Sequence, residues 1–261
     1  MCLITFNWQP QSPQPLVMAA NRDEFHRRPT RAAQCWSDQP NLLAGQDLEA
    51  GGTWMGVTRE GRFAALTNVR KLPASYKGTV SRGKLVSDYL TSGMSPEAYL
   101  AQIAQHPLQY DGFNLVVGNR TECWYFTNHQ DPELGAQVPR RLAPGLYGLS
   151  NHVLNTPWPK VEYAKCALAD WLVAETTQAS ELAAQALSQL LRRRETFADE
   201  QLPDTGVGLT WERMLSAPFI ISPDYGTRAG TGVVLTADAL YWAETSYDPQ
   251  GDVAQHMTAV L

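Results

Sequence analysis

Apolar and polar positions alternate from the start of the chain. In residues 2–8, Cys2, Ile4, Phe6 and Trp8 fall on one face, and Leu3, Thr5 and Asn7 on the other, the period of a β-strand. The stretch QPQSPQP carries three prolines and no core residue, so it reads as a turn. Leu16 to Ala20 is a short apolar run that predicts a second strand, ended by the polar cluster Asn21-Arg22-Asp23-Glu24. Consecutive strands joined by a short loop usually pair as an antiparallel hairpin. With the turn centred near Ser12, opposite residue numbers sum to about 24, so Cys2 faces the 20–24 region across the pair.

The same patterning predicts two strands in GGTWMGVT and RFAALTNV, turning at REG, and a hairpin of FNLVVGN with CWYFTN. Helices are predicted at 82–90 and 95–105, the second with Ser95 as N-cap and Pro96 at its first position. GLYGLSN is a short strand, and 159–175 and 178–194 are long periodic helices. A loop near 198–208 precedes a short helix around Trp211–Leu215, and FIIS, GTGVVLT and ALYWAETS close the chain as strands. Runs of strands separated by pairs of helices predict an α+β fold with largely antiparallel sheets. About ten strands are many for one open sheet, so two packed sheets with helices on their outer faces are expected. No repeat, low-complexity tract or linker interrupts the chain, and 1–261 reads as a single domain.

Composition narrows the function. The 261 residues are 44% hydrophobic and 18% charged, as in ordinary globular proteins, and the net charge of −5 gives no reason to expect nucleic acid as a partner. Arg192-Arg193-Arg194 is the one compact basic run; at the end of a predicted helix it suits the helix dipole. Cys2, Cys35, Cys123 and Cys166 form no C-x-x-C pair, and the five histidines form no H-E-x-x-H, so zinc and redox-pair chemistry are weakly signalled. No apolar run approaches a membrane span, so stable membrane insertion is not expected, and the default compartment is the cytoplasm with thiols reduced. Cys35, Cys123 and Cys166 read as structural, with Cys166 packing inside a helix. The sequence does not indicate an oligomeric state.

Cys2 is the chemically distinctive residue. Methionine aminopeptidases remove Met1 when the next side chain is small, which would give Cys2 both a thiol and a free α-amine. A thiol titrates near about 8.5 and an α-amine near about 8, so the amine can take the thiol proton without a histidine. A cysteine serving only the core would prefer apolar neighbours to the polar cluster placed opposite.

With MCLITF followed by ANRDEF, and then GGTWMGV, LTN, YGLSN and YGTRAGTGV, the chain resembles the NRDE family over nearly its whole length. That family resembles the N-terminal nucleophile hydrolases, which implies a four-layer αββα sandwich. The related bile-salt hydrolase and penicillin V acylase group uses an N-terminal cysteine, an R-x-x-D pair on the second strand, oxyanion-binding asparagines and a later arginine. The resemblance makes Cys2 the nucleophile. The strand pair falls on Asn21 and Glu24 if spacing is kept, or on Arg22 and Asp23 if residue type is kept. Asn68 corresponds to a backbone contributor to the oxyanion hole, Asn151 to its side-chain donor, and Arg228 to the late arginine. Trp54 and Met55 would line the pocket, and Gly51, Gly52 and Gly230 would allow close ligand approach or make turns.

Two functions follow from the resemblance. One is a cysteine amide hydrolase acting on a small non-peptide amide or acyl substrate, with no cofactor required. The other is a carrier of haem or of acyl-CoA or lipid, in which the polar cluster and Arg228 hold an anionic head and His26 or Cys2 could ligate haem iron.

Overall fold

The computed structural model describes residues 2–71, 77–129, 137–174 and 180–261. Met1, position 175 and positions 178–179 of the predicted helices lie outside the described residues. Two antiparallel sheets carry the fold. The first contains β1 (Cys2–Trp8), β2 (Leu16–Phe25), β10 (Gly145–Leu149), β11 (Tyr225–Leu235), β12 (Leu240–Tyr247) and β13 (Val253–Val260), in the order β10-β1-β2-β11-β12-β13. The second runs in sequence order through β3 (Thr30–Trp36), β4 (Gln39–Asp47), β5 (Met55–Thr58), β6 (Phe63–Asn68), β7 (Phe113–Gly118), β8 (Cys123–Thr127) and β9 (Arg140–Arg141).

The predicted alternation decides how the sheets stack. Ile4, Phe6 and Trp8 of β1 meet Val57, Phe63 and Val116 of the second sheet in a core between the sheets. Leu3 points the other way, to α3 (Pro159–Ala174) and α4 (Ser180–Leu187). On the far side, α1 (Gly83–Thr91) and α2 (Pro96–Gln105) cover Leu42, Leu66 and Leu115. Ser95 caps α2 as predicted, accepting a hydrogen bond from the Ala98 N–H at 3.2 Å. The layers are therefore helix, sheet, sheet, helix. Against β11, α4 lies backbone to backbone: a Cβ at Gly232 would stand 2.1 Å from the Ala184 carbonyl oxygen, and one at Gly230 2.1 Å from that of Ser188. Gly230 thus admits a helix rather than a ligand.

Several elements depart from the pattern. The strand expected to stop at Ala20 continues through the polar cluster to Phe25. The cluster can stay in the ladder because the buried Asn21 and Asp23 side chains have hydrogen-bond partners. The Asn21 amide, for example, donates to the carbonyls of Leu191 and Pro218, both at 2.9 Å. Those bonds also belong with the early end of α4, which stops at Leu187 instead of running to 194. Arg192, Arg193 and Arg194 are not in a last helical turn; they lie over the rings of Phe219 and Tyr247, of Tyr163 and Phe197, and of Phe219. FIIS is not a strand: Phe219 and Ile220 bond instead to Arg193 and Thr227. The strands β3, β4, β9 and β13 carry no alternation that the sequence reading recognised. β13 is an edge strand exposed along most of its length, and β4 buries Leu42, Leu43 and Ala44 in succession because both its faces are covered.

Candidate active site

Register places the site. Cys2 pairs with Arg22 in β2, the predicted sum of 24. On its other side β1 pairs with β10, Ile4 opposite Leu149. Extending that register by two residues brings Cys2 beside Asn151. The Ser150 hydroxyl ties the two together, bonding to the Cys2 carbonyl at 3.2 Å and to Asn151 Oδ1 at 3.1 Å. Asn151 is fully buried. Its Nδ2 donates to the Asn68 carbonyl at 2.9 Å, and its own carbonyl accepts from the Arg70 N–H at 2.7 Å. An amide nitrogen carries two N–H groups, and the bond to Asn68 uses one of them.

Strand alternation sorts the polar tetrapeptide. Arg22 faces the space between the sheets with Cys2, is 5% exposed, and lies 4.1 Å from the centroid of the Trp54 ring. Asp23 faces the helical side, where its Oδ1 accepts from the Thr227 hydroxyl at 2.6 Å, while its backbone N–H bonds to the Cys2 sulfur. Of the residues left open by the sequence, Arg22 shares the face of Cys2 and Asp23 takes the opposite face, while Asn21 also borders the small space at Cys2. The Asn21 amide is held by the α4 end, and Glu24 sits half-buried at the margin, with Oε1 on the Phe25 N–H. Arg228 lies within β11, at a bulge, because that strand starts at Tyr225, ahead of the predicted GTGVVLT. Its Nη1 donates to the carbonyls of Phe25 and Arg28 and to the Thr30 hydroxyl, tying down the segment after β2. His26 Nε2 is 3.0 Å from the Ser222 carbonyl. Among the described residues no cluster of three or more His, Cys, Asp or Glu could hold a metal ion, and no helix is long and apolar enough to cross a membrane. Cys123 is buried, but Cys35 and Cys166 are exposed; Cys166 faces outward from α3 and does not pack as expected.

Three further ionisable groups were missed by the sequence reading: Lys160, which lies near Asp23, and Arg70 and Glu212, which lie near Lys160. Lys160, at the start of α3, is buried with Nζ on the Leu215 carbonyl at 3.0 Å; burial lowers its pKa to about 8 despite the nearby Asp23 charge. Arg70 and Glu212 form a buried ion pair at 2.9 Å. A signal existed for two of them. Lys160 lies four and eight residues before Ala164 and Leu168, on the buried stripe of α3, and Glu212 shares the buried face of α5 (Leu209–Ser216) with Leu215 and Ser216. Charged residues on the apolar face of a helix are candidates for a buried network.

The cavity at the sulfur is small. Cys2 is 8% exposed, and the space bounded by Cys2, Ala20, Arg22, Trp54, Leu66 and Thr231 measures about 10 Å³, room for about one water. Among the described residues, the space at Cys2 is not the open cleft implicit in a carrier of large ligands. A larger cleft of about 630 Å³ lies at the Thr58 and Arg62 ends of β5 and β6, away from Met55 and Leu66 beside Cys2. Its lining carries serine and threonine hydroxyls but no cysteine and does not reach Cys2, so volume does not locate the thiol chemistry here. Burial pushes the Cys2 thiol pKa up, so a base is needed to take its proton.

Glu244 completes the buried set. It is 2% exposed between the sheets, and its Oε1 accepts from the Ala33 N–H at 2.8 Å. Among the described residues its Oε2, like Arg22 Nη1, has no hydrogen-bond partner. Burial raises its pKa from 4.5 to about 7. Between those values the folded chain keeps a proton that the unfolded chain has lost, so this group makes stability fall as pH rises through the window. Glu244→Gln, which can keep the bond to Ala33, is expected to remove that fall and to stabilise the protein by on the order of 2 kcal/mol at pH 8. Urea unfolding of both proteins at pH 5 and pH 8 checks this; an equal decline in both would show that Glu244 ionises normally.

Residues 1–248 match the profile of the family described as Transport and Golgi organisation 2. The chain is 34% identical to the Transport and Golgi organization protein 2 homolog of Bos taurus over 91% of this chain and 90% of that protein. It is 28% identical to the Transport and Golgi organization protein 2 of Drosophila melanogaster over 97% and 95%. Among solved structures it is similar to the C2A mutant of conjugated bile acid hydrolase from Clostridium perfringens, with a TM-score of 0.45 and 9% identity over 99% of this chain and 92% of that one. It is also similar to a Caenorhabditis elegans N-acylethanolamine-hydrolyzing acid amidase ortholog, with a TM-score of 0.37 and 7% identity over 65% and 79%. By the profile match and by the extent of its likeness to these relatives, the chain belongs to the Transport and Golgi organisation 2 family.

Proposed function

We propose that this protein is a cysteine amide hydrolase of the N-terminal nucleophile type, acting on a small non-peptide amide or acyl substrate. The observation that supports it best is the placement of Cys2 between Arg22 on one side and the buried Asn151 amide on the other. Removal of Met1 frees the Cys2 α-amine, which in its neutral form takes the thiol proton. The sulfur attacks the substrate carbonyl carbon, and the oxyanion is held by Asn151 Nδ2 and the Asn68 backbone. On collapse the C–N bond breaks, the α-ammonium protonates the leaving amine, and an acyl thioester stays on Cys2. Water then attacks the thioester and gives a proton to the α-amine. The C–S bond breaks, that proton returns to the sulfur, and the acid leaves. Asp23, fixed by Thr227, would hold the α-ammonium, and Lys160 would oppose the protonation of Asp23 that burial favours. A carrier of haem or acyl-CoA on the same scaffold calls for much more room beside Cys2 than about 10 Å³.

The α-amine is the element to test. Intact mass of the purified protein is expected to lack Met1, and protein produced with methionine aminopeptidase inhibited is expected to keep it and to lose acylation of Cys2 by an activated ester. Equal acylation with and without Met1 would rule out the amine as the base.

A further inference from the structure

The apolar cavity beside Cys2 has one wall that sets its size. The backbone of residues 52–54 is pinned on several sides: the Gly52 carbonyl accepts from the Asp47 N–H at 2.9 Å, the Thr53 N–H donates to the Gly83 carbonyl at 3.2 Å, and the Trp54 carbonyl accepts from the Leu66 N–H at 2.8 Å. Gly51, at φ 76°, makes the turn that leads into this segment. The indole is wedged as well. Arg22 lies on its face at 4.1 Å from the centroid. Its edge lies against Gly45 in β4, where a Cβ would come within 2.3 Å of Cη2. The ring is half-buried and backed by the guanidinium and by β4, so it forms one wall of the space. The other residues bounding the space include Ile4, Ala20, Met55 and Leu66, hydrocarbon that suits the acyl side of a substrate better than its leaving amine.

Resting on the nucleophile assignment above, we propose that Trp54 is the specificity residue of this site and restricts the acyl group transferred to Cys2 to one or two carbons. A space of about 10 Å³ next to the sulfur takes a methyl group and no longer chain while the indole stays in place. Each methylene that a pocket rejects is worth roughly tenfold or more in rate.

The test uses p-nitrophenyl acetate, butyrate and octanoate, with the rate of Cys2 acylation followed by intact mass and corrected for the hydroxide reactivity of each ester. Wild type is expected to favour acetate over butyrate by about tenfold or more and to give no octanoyl adduct. Trp54→Ala is expected to raise the butyrate-to-acetate ratio by about tenfold or more. Gly45→Ala acts from behind the ring without touching Cys2; its Cβ presses the indole toward the cavity and is expected to slow acetate, which keeps the proposal testable if Trp54→Ala does not fold. Equal wild-type rates with all three esters, or an unchanged ratio in Trp54→Ala, would overturn the size filter while leaving Cys2 a nucleophile. No adduct from any ester in either protein would overturn the nucleophile assignment, and the filter with it.

Discussion

Glu212→Ala is expected to cost about 3–5 kcal/mol of folding stability, among the largest effects of any single substitution near the site. Glu212 is 3% exposed, with Oε2 on Arg70 Nη2 at 2.9 Å and Oε1 accepting from the Thr205 N–H at 2.8 Å and the Thr205 hydroxyl at 2.6 Å. Arg70 has little else to compensate. Its Nε and Nη1 are buried without hydrogen-bond partners among the described residues, and its guanidinium lies 4.8 Å from the Trp158 ring centroid. Alanine would leave a full positive charge in the interior beside Lys160, whose own charge burial already disfavours. The pair itself need not be strongly stabilising, because desolvating two ions offsets most of their attraction. The double substitution Arg70→Met with Glu212→Leu is therefore expected to be more stable than Glu212→Ala. Urea midpoints at unchanged slope check both; a loss below about 1 kcal/mol for Glu212→Ala would mean that water reaches Arg70.

Asn151→Ala is expected to slow turnover by about 10²–10³-fold, the usual cost of one oxyanion donor. Because Asn151 also bonds to Asn68 and Ser150, alanine removes packing contacts as well as a donor. Asn151→Asp keeps an oxygen for the Ser150 hydroxyl but sets an acceptor against the Asn68 carbonyl, so it is expected to lose both stability and rate, and its rate is read only where urea unfolding shows the protein to be native. Single-turnover acylation of Cys2 in folded Asn151→Asp is the measurement; a rate within a fewfold of wild type would place the oxyanion elsewhere.

Much of this site was legible because it depends on local geometry. A hairpin fixes which region faces which, so the turn at Ser12 placed Cys2 across from residues 20–24; the register then selects Arg22 among them. The alternation in 2–8 likewise assigned the inner and outer faces of β1. The face of each residue in the tetrapeptide was not legible, because the strand was expected to end before it. Polar residues end strands when water must satisfy them, and here Leu191, Pro218 and Thr227, distant in sequence, do so instead. The closed cavity was hidden for a similar reason: it depends on Gly45 and Trp54 meeting across β4 and β5, and β4 carries no alternation to reveal it. Arg228 matched by motif, yet its Nη1 binds main-chain carbonyls, which no motif encodes.

The most direct test of Cys2 as nucleophile is peptide-mapped mass spectrometry after brief exposure to p-nitrophenyl acetate, with Cys2→Ala as the control. The expected result is a single acetyl group on an N-terminal peptide that begins at Cys2, bound as a hydroxylamine-labile thioester and absent from the variant. Acetylation confined to the exposed Cys35 and Cys166, or equal labelling of Cys2→Ala, would contradict it.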